Sequence, residues 1–219
     1  IAYAEDNTEN LVKIIKSCNR ILIFIMSIPI AFLTAYGRDF YAMWQPTKDA
    51  DMLQRLSLLA VGVLYVSMSI QVLYHVFIIT KKVKWNSLVI LGSGVLSSCL
   101  SLLLLKTTDL GVMVFPLSSM LTGLLRNLIF TPIYAARCLK IRWNRFYGDI
   151  LLGWISIGSI VILGNLSRMV FPVDSWIKLI LTGVVMGPLA LALNFLIILR
   201  KEEREMVIGM LKSRLKGAK

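Results

Sequence analysis

Residues 87–105 read SLVILGSGVLSSCLSLLLL, nineteen positions without a charged side chain. Lys81, Lys82, Lys84 and Trp85 precede this run, and Lys106 ends it. A helix crossing a bilayer needs about 20 mainly apolar residues, so the run has the length of one membrane span, fenced by bases. Five more blocks of this kind lie around it: 20–36, 53–80, 110–136, 149–167 and 177–199. In chain order the six are blocks A to F, with 87–105 as block C. Blocks B and D exceed the membrane thickness and are expected to tilt or to project beyond it. None alternates in the period-two pattern of a membrane barrel.

Composition agrees. Of 219 residues, 57% are hydrophobic and 16% charged, against about 25% charged in a soluble domain. Mean hydropathy is +0.75. An ordinary soluble enzyme, a disordered chain and a disulfide-stapled secreted domain are excluded. The net charge of +12 falls between apolar blocks, which indicates membrane topology and no nucleic-acid partner. Cys18, Cys99 and Cys138 lie far apart and suggest neither a bridge nor a metal site. The chain starts at Ile1, with no signal-peptide pattern, and is expected to be the C-terminal piece of a longer protein.

Threading through six spans sorts the bases. Seventeen fall on the side of the segment before A, the B–C and D–E connections and the tail, and six on the other. The positive-inside rule then places both termini in the cytoplasm. Trp44 and Trp176 fall at the outer interface, Trp85 and Trp143 at the inner one, as an anchoring belt. Three regions follow. Residues 1–19 form a cytoplasmic amphipathic lead-in helix, capped by Asp6 and Glu9, with Leu11, Ile14, Ile15 and Cys18 at helical spacing. Residues 20–199 form a six-helix transmembrane lobe. Residues 200–219 form a basic cytoplasmic tail. There the stripe Val207, Met210, Leu211 and Leu215 reads either as a helix lying on the anionic leaflet or as a frayed end.

Polar side chains in hydrocarbon are costly unless they face protein or water. Block B carries Ser67, Gln71 and His75 at successive steps of four. Block D carries Ser119, Thr122 and Arg126 on one stripe, with Asn127 alongside. Together Arg126, Thr122, Ser119, Gln71 and His75 are candidates to line an inward-open cavity with one cation and one imidazole. Two readings stand for Arg126: a cavity cation, or a base that snorkels or bonds carbonyls. For His75, six residues before Lys81, an interfacial position is the competing reading. No Asp or Glu lies well inside a block. Ser93, Ser97 and Ser101 in C, and Gly183 and Gly187 in F, are small residues expected to allow close helix contact. Pro29, Pro116, Pro132 and Pro188 predict kinks. One histidine, no phosphate-binding glycine loop and no nucleophile motif leave no catalytic residue, metal ligand set or cofactor to assign. The chain is not expected to be an enzyme.

Three stretches carry a resemblance. They are Gly37-Arg38-Asp39-Phe40-Tyr41-Ala42-Met43-Trp44 after the Pro29 helix; Thr80-Lys81-Lys82-Val83-Lys84 closing block B; and Leu110-Gly111-Val112 opening block D, with Thr131-Pro132-Ile133-Tyr134-Ala135-Ala136 closing it. In their order and spacing over roughly residues 18–200 they resemble the C-terminal half of Wzx-type polysaccharide flippases, of the MOP superfamily that also holds MATE exporters. The family often continues its middle turn in small residues, where this chain has Val112, Met113 and Val114. The resemblance implies an all-α integral membrane protein of about six transmembrane helices, one lobe of a two-lobe MOP/MATE-like transporter whose N-terminal lobe is missing from this chain. It implies translocation of an undecaprenyl-pyrophosphate-linked oligosaccharide across the bacterial cytoplasmic membrane by alternating access, for surface polysaccharide biosynthesis. Arg126 would suit the pyrophosphate, since a guanidinium binds phosphate oxygens as a fork. Two alternatives are weighed. A MATE-type drug or metabolite exporter predicts cavity carboxylates, and a membrane-embedded enzyme of lipid or glycan assembly predicts catalytic groups near an interface.

Overall fold

The computed structural model describes residues 8–205 and 208–209, and these are all-helical, with no strand among them. Helix α1 (Thr8–Trp44) is followed by three short pieces, α2 (Ala50–Val61), α3 (Leu64–Ser67) and α4 (Leu73–Ile79). Then come α5 (Val83–Thr107), α6 (Val114–Leu125), α7 (Thr131–Cys138), α8 (Tyr147–Val170) and α9 (Trp176–Ile197). A π-turn, Arg126–Phe130, joins α6 to α7, so Gly111–Cys138 acts as one spanning run.

Five stretches are long and apolar enough to cross a membrane: Thr8–Trp44, Val83–Thr107, Gly111–Cys138, Trp143–Val170 and Trp176–Ile197. They correspond to blocks A, C, D, E and F. Block B differs from the expectation of one long tilted helix. Its backbone stays right-handed at Gly62, Val63, Met68 and Val72, but the hydrogen bonds tighten to a three-residue step. Examples are Gly62 N–H to the Leu59 carbonyl (3.3 Å) and Ile70 N–H to the Ser67 carbonyl (3.1 Å). The tightened turns coincide with close contacts. A Cβ at Gly62 would meet Met120, one at Gly123 would lie 2.6 Å from Val63, and one at Gly153 would meet Ser69 and Met68. Packing against α6 and α8 thus sets the local pitch of this segment.

Burial is inverted relative to a soluble fold. Ser27, Ser69, Ser118, Thr131, Ser156 and Asn194 are fully buried, while Leu91 is 66% and Val170 86% exposed. Polar groups pair inside and hydrocarbon faces out, the arrangement a lipid solvent demands. The shape, the composition and the five spans define an all-α integral membrane protein.

The lead-in helix and block A form one uninterrupted α1 of 37 residues, about 55 Å long at 1.5 Å per residue. That is well beyond the roughly 30 Å hydrocarbon layer, so one end stands clear of it. Helices α1 and α8 run parallel, with Arg20 beside Asp149 and Tyr36 beside Gly164. Helix α9 returns antiparallel, with Asn194 against Phe24 and Ser27, and Trp176 edge-on to Phe40. The connections therefore gather at two ends. One holds the start of α1, the turn after α7 and the segment after α9. The other holds the α1–α2 and α8–α9 turns. At this second end Arg168 clamps Asp39 (Nη2 at 3.0 Å, Nε at 3.0 Å) and Lys178 donates to Asp174 (2.7 Å), holding that carboxylate below its usual range. The cap pair Asp6/Glu9 and the stripe Val207, Met210, Leu211 and Leu215 depend on positions outside the described residues.

Gly183 and Gly187 were expected to seat a neighbouring helix. In the structure no atom would lie within 4 Å of a Cβ at either position. The close contacts fall instead at Gly37, Gly62, Gly123, Gly153 and Gly164.

Candidate functional site

The π-turn is the feature that shapes the middle of the run, and one proline explains it. Pro132 has no N–H, so the Leu128 carbonyl four residues earlier loses its helical donor. The Tyr147 hydroxyl at the start of α8 donates to that carbonyl instead, at 2.7 Å. Thr131 reaches back five residues: its N–H and its hydroxyl (3.2 Å) both donate to the Arg126 carbonyl. The extra residue turns the preceding face by about 100° relative to an unbroken helix. Single π-turns are frequent at functional sites.

Arg126 and Asn127 open this turn. Arg126 is partly buried; its Nη1 donates to Ser93 Oγ of α5 (3.2 Å) and its Nε to Asn127 Oδ1 (3.4 Å). Asn127 is 1% exposed, and its Oδ1 also accepts from the Tyr74 hydroxyl of α4 at 3.0 Å. Arg126 makes no ion pair among the described residues. A cation in the spanning zone is thus held by neutral acceptors alone, with most of its five donors uncommitted.

The other expected residues separate from this cluster. Ser119 is exposed, its Oγ 3.3 Å from Ser97 Oγ on α5. Thr122 is buried and its hydroxyl donates back to the Ser118 (2.9 Å) and Ser119 (3.3 Å) carbonyls, so it is satisfied within its own helix. Gln71 and His75 are exposed, and no hydrogen bond joins either to Arg126 among the described residues. The partners that do hold Arg126 are Ser93, read from sequence as a packing residue, and Asn127 backed by Tyr74. Tyr74 lies at helical spacing from Ser67 and Gln71, a signal in the sequence that could have found it. Met120 and Leu124, on another face of α6, line a separate apolar groove of about 570 Å³ with Leu58, Tyr65 and Trp154.

Two further polar clusters carried no motif. In the first, Asn194 donates to the Phe24 carbonyl (3.1 Å) and Ser27 Oγ (2.7 Å), and accepts from Ser156 Oγ (2.7 Å). It ties α1, α8 and α9 inside the bundle. In the second, Arg20 lies 4.0 Å from Asp149 and 3.5 Å from Glu203, and Glu203 also accepts from Ser17 Oγ (2.8 Å) and the Arg200 N–H (2.8 Å). All three ionic groups are nearly fully buried.

The fold and these clusters define a multi-span helical membrane protein. Within that class, the chain is 25% identical over 213 residues to the uncharacterized membrane protein EpsK of Bacillus subtilis (strain 168). The alignment takes in 94% of this chain and 41% of that protein, so the chain spans about two fifths of the relative's length. No protein-family model and no solved structure matches the chain.

Proposed function

We propose that this chain is one lobe of a flippase that moves a lipid-linked oligosaccharide, carried on undecaprenyl pyrophosphate, across the bacterial cytoplasmic membrane. Both termini lie in the cytoplasm, an N-terminal lobe completes the transporter, and the activity is transport without bond chemistry. The observation that carries this reading is the state of Arg126. A guanidinium sits in the spanning zone beside a π-turn and bonds only neutral oxygens, so its charge is available to an anionic ligand. A pyrophosphate offers the oxygen fork that a guanidinium matches. The exposed apolar flanks of α5 and α9 leave the lipid tail in the bilayer while the head group enters. Support also comes from the ordered motifs of the resemblance and from the membrane-protein relative, which is more than twice the length aligned.

The test is surface glycan together with membrane abundance for Arg126→Lys and Arg126→Ala in the full-length protein. A hydrogen bond to a charged partner is worth about 1.5–3 kcal/mol, so Arg126→Ala should lower transport roughly ten- to hundredfold at normal abundance. Arg126→Lys should recover little, because a point charge lacks the planar fork. A fully active Lys variant, or an active Ala variant, defeats the assignment. A snorkelling base would tolerate Lys.

A further inference from the structure

At the end of the bundle where α1 begins lies a cavity of about 770 Å³. Its walls are the first turns of α1, the connection 139–145 and the segment 200–203. Seven lysines and arginines line it against three glutamates, and Asp149 beside Arg20 and Lys16 brings the acids to four, leaving an excess of three positive charges. Arg20 is committed to Asp149 and Glu203, and Glu203 is saturated by Arg20, Ser17 and the Arg200 N–H. Lys13, Lys16, Lys140, Arg142, Arg145 and Arg200 make no ion pair among the described residues. Lys16 is partly buried; Asp149 attracts its ammonium, while Arg145, Arg20 and Arg200 repel it. Cations held together from three separate segments, without enough acids to neutralise them, favour an anion between them.

The depth of the cavity narrows the ligand. Trp143, 61% exposed, stands between Arg142 and Arg145 on the same connection. Exposed tryptophans beside bases mark the head-group level of a bilayer. The helices lining the cavity are those whose apolar blocks begin or end here. A cavity of this volume accommodates a head group.

We propose that this cavity is a binding site for a phosphate-bearing anion, distinct from Arg126 and independent of the transport reading. The phosphate belongs either to an anionic lipid of the adjoining leaflet or to a soluble phosphate. Bound there, it would bridge α1, the α7–α8 connection and the segment after α9.

The experiment is native mass spectrometry of the full chain in mild detergent, titrated with phosphatidic acid, with diacylglycerol, and with inorganic phosphate. The site predicts that phosphatidic acid binds at least about tenfold more tightly than diacylglycerol, the same lipid without the phosphate. Lys16→Gln/Arg145→Gln should weaken phosphatidic acid about tenfold or more, since each base near an anionic surface counts for roughly fivefold. Arg142→Gln/Arg145→Gln, both exposed and in no ion pair among the described residues, should do the same. Lys81→Gln/Lys84→Gln, which removes as much charge from exposed positions outside the cavity, should change binding less than about twofold. Competition by inorganic phosphate assigns the site to soluble phosphate; phosphatidic acid binding without such competition assigns it to a lipid head group. Equal binding of the two lipids without any effect of inorganic phosphate overturns the proposal. So does an equal loss in the cavity and control pairs, which would reduce the effect to diffuse surface charge.

Discussion

Asn194 spends both amide donors and its carbonyl on three different partners, two of them serine hydroxyls on other helices. Inside a membrane the interhelical hydrogen bond replaces part of the hydrophobic force that assembles a soluble core. Asn194→Ala strands Ser27 and Ser156, and should lower the unfolding free energy by about 1–2 kcal/mol, read by denaturant titration in detergent. Arg20 is the harsher case. Its removal leaves Asp149 and Glu203 facing each other, both nearly buried, with their shared cation gone. Arg20→Met should cost about 3 kcal/mol or more, and Arg20→Lys less, measured on the same scale. Neither cluster was legible in the sequence. Asn194 is one polar residue in an apolar block, and Ser27 and Ser156 look like small packing residues. The distance of 167 positions between Ser27 and Asn194 hides their contact until the helices pack. Arg126 was legible, because a lone base in an apolar block is conspicuous whatever surrounds it.

The π-turn belongs to the scale of the element. Pro132 marks the place in the sequence, yet its consequence depends on Tyr147, from the next helix, accepting the role of donor to Leu128. Tyr147→Phe should leave that carbonyl unpaired and cost about 1–2 kcal/mol. In a Pro132→Ala background the restored N–H serves Leu128, so the same Tyr147→Phe change should cost close to nothing. A double-mutant cycle on thermal stability reads this coupling, and additive losses would disprove it. Block B teaches a related lesson. Its length and apolarity predicted one helix, but the tightened turns sit where Gly62, Val63 and Ser69 meet α6 and α8. Those contacts involve residues 58 or more positions away, and no local propensity encodes them. The glycine pair in block F shows the reverse: a small-residue pattern that seats no helix among the described residues.

For the whole molecule, the parallel pair α1 and α8 with antiparallel α9 matches a chain threaded alternately through a membrane. The topology proposed from the base asymmetry puts the Asn144 connection inside and the turn near Thr47 outside. In a chain freed of Cys18, Cys99 and Cys138, Thr47→Cys should react with an impermeant thiol reagent applied to intact cells, and Asn144→Cys should be protected. The opposite labelling would reverse the topology. If the transporter needs two lobes, the full-length protein should restore surface glycan to a flippase-deficient strain and this 219-residue chain alone should not. Restoration by the short chain would point to a dimer of such units. The sequence alone determined the solvent and the class: long uncharged blocks between basic turns have no other stable environment than a bilayer, and a helix is the local structure that satisfies a lone backbone there. Only the tertiary structure decided which polar groups meet. Arg126 with Ser93, Asn194 with Ser27 and Ser156, and Arg20 between Asp149 and Glu203 are pairings across helices. They form only once the helices pack, as at Gly164, whose close approach to Ala35 and Tyr36 seats α8 on α1, and hydropathy carries no record of which faces will touch.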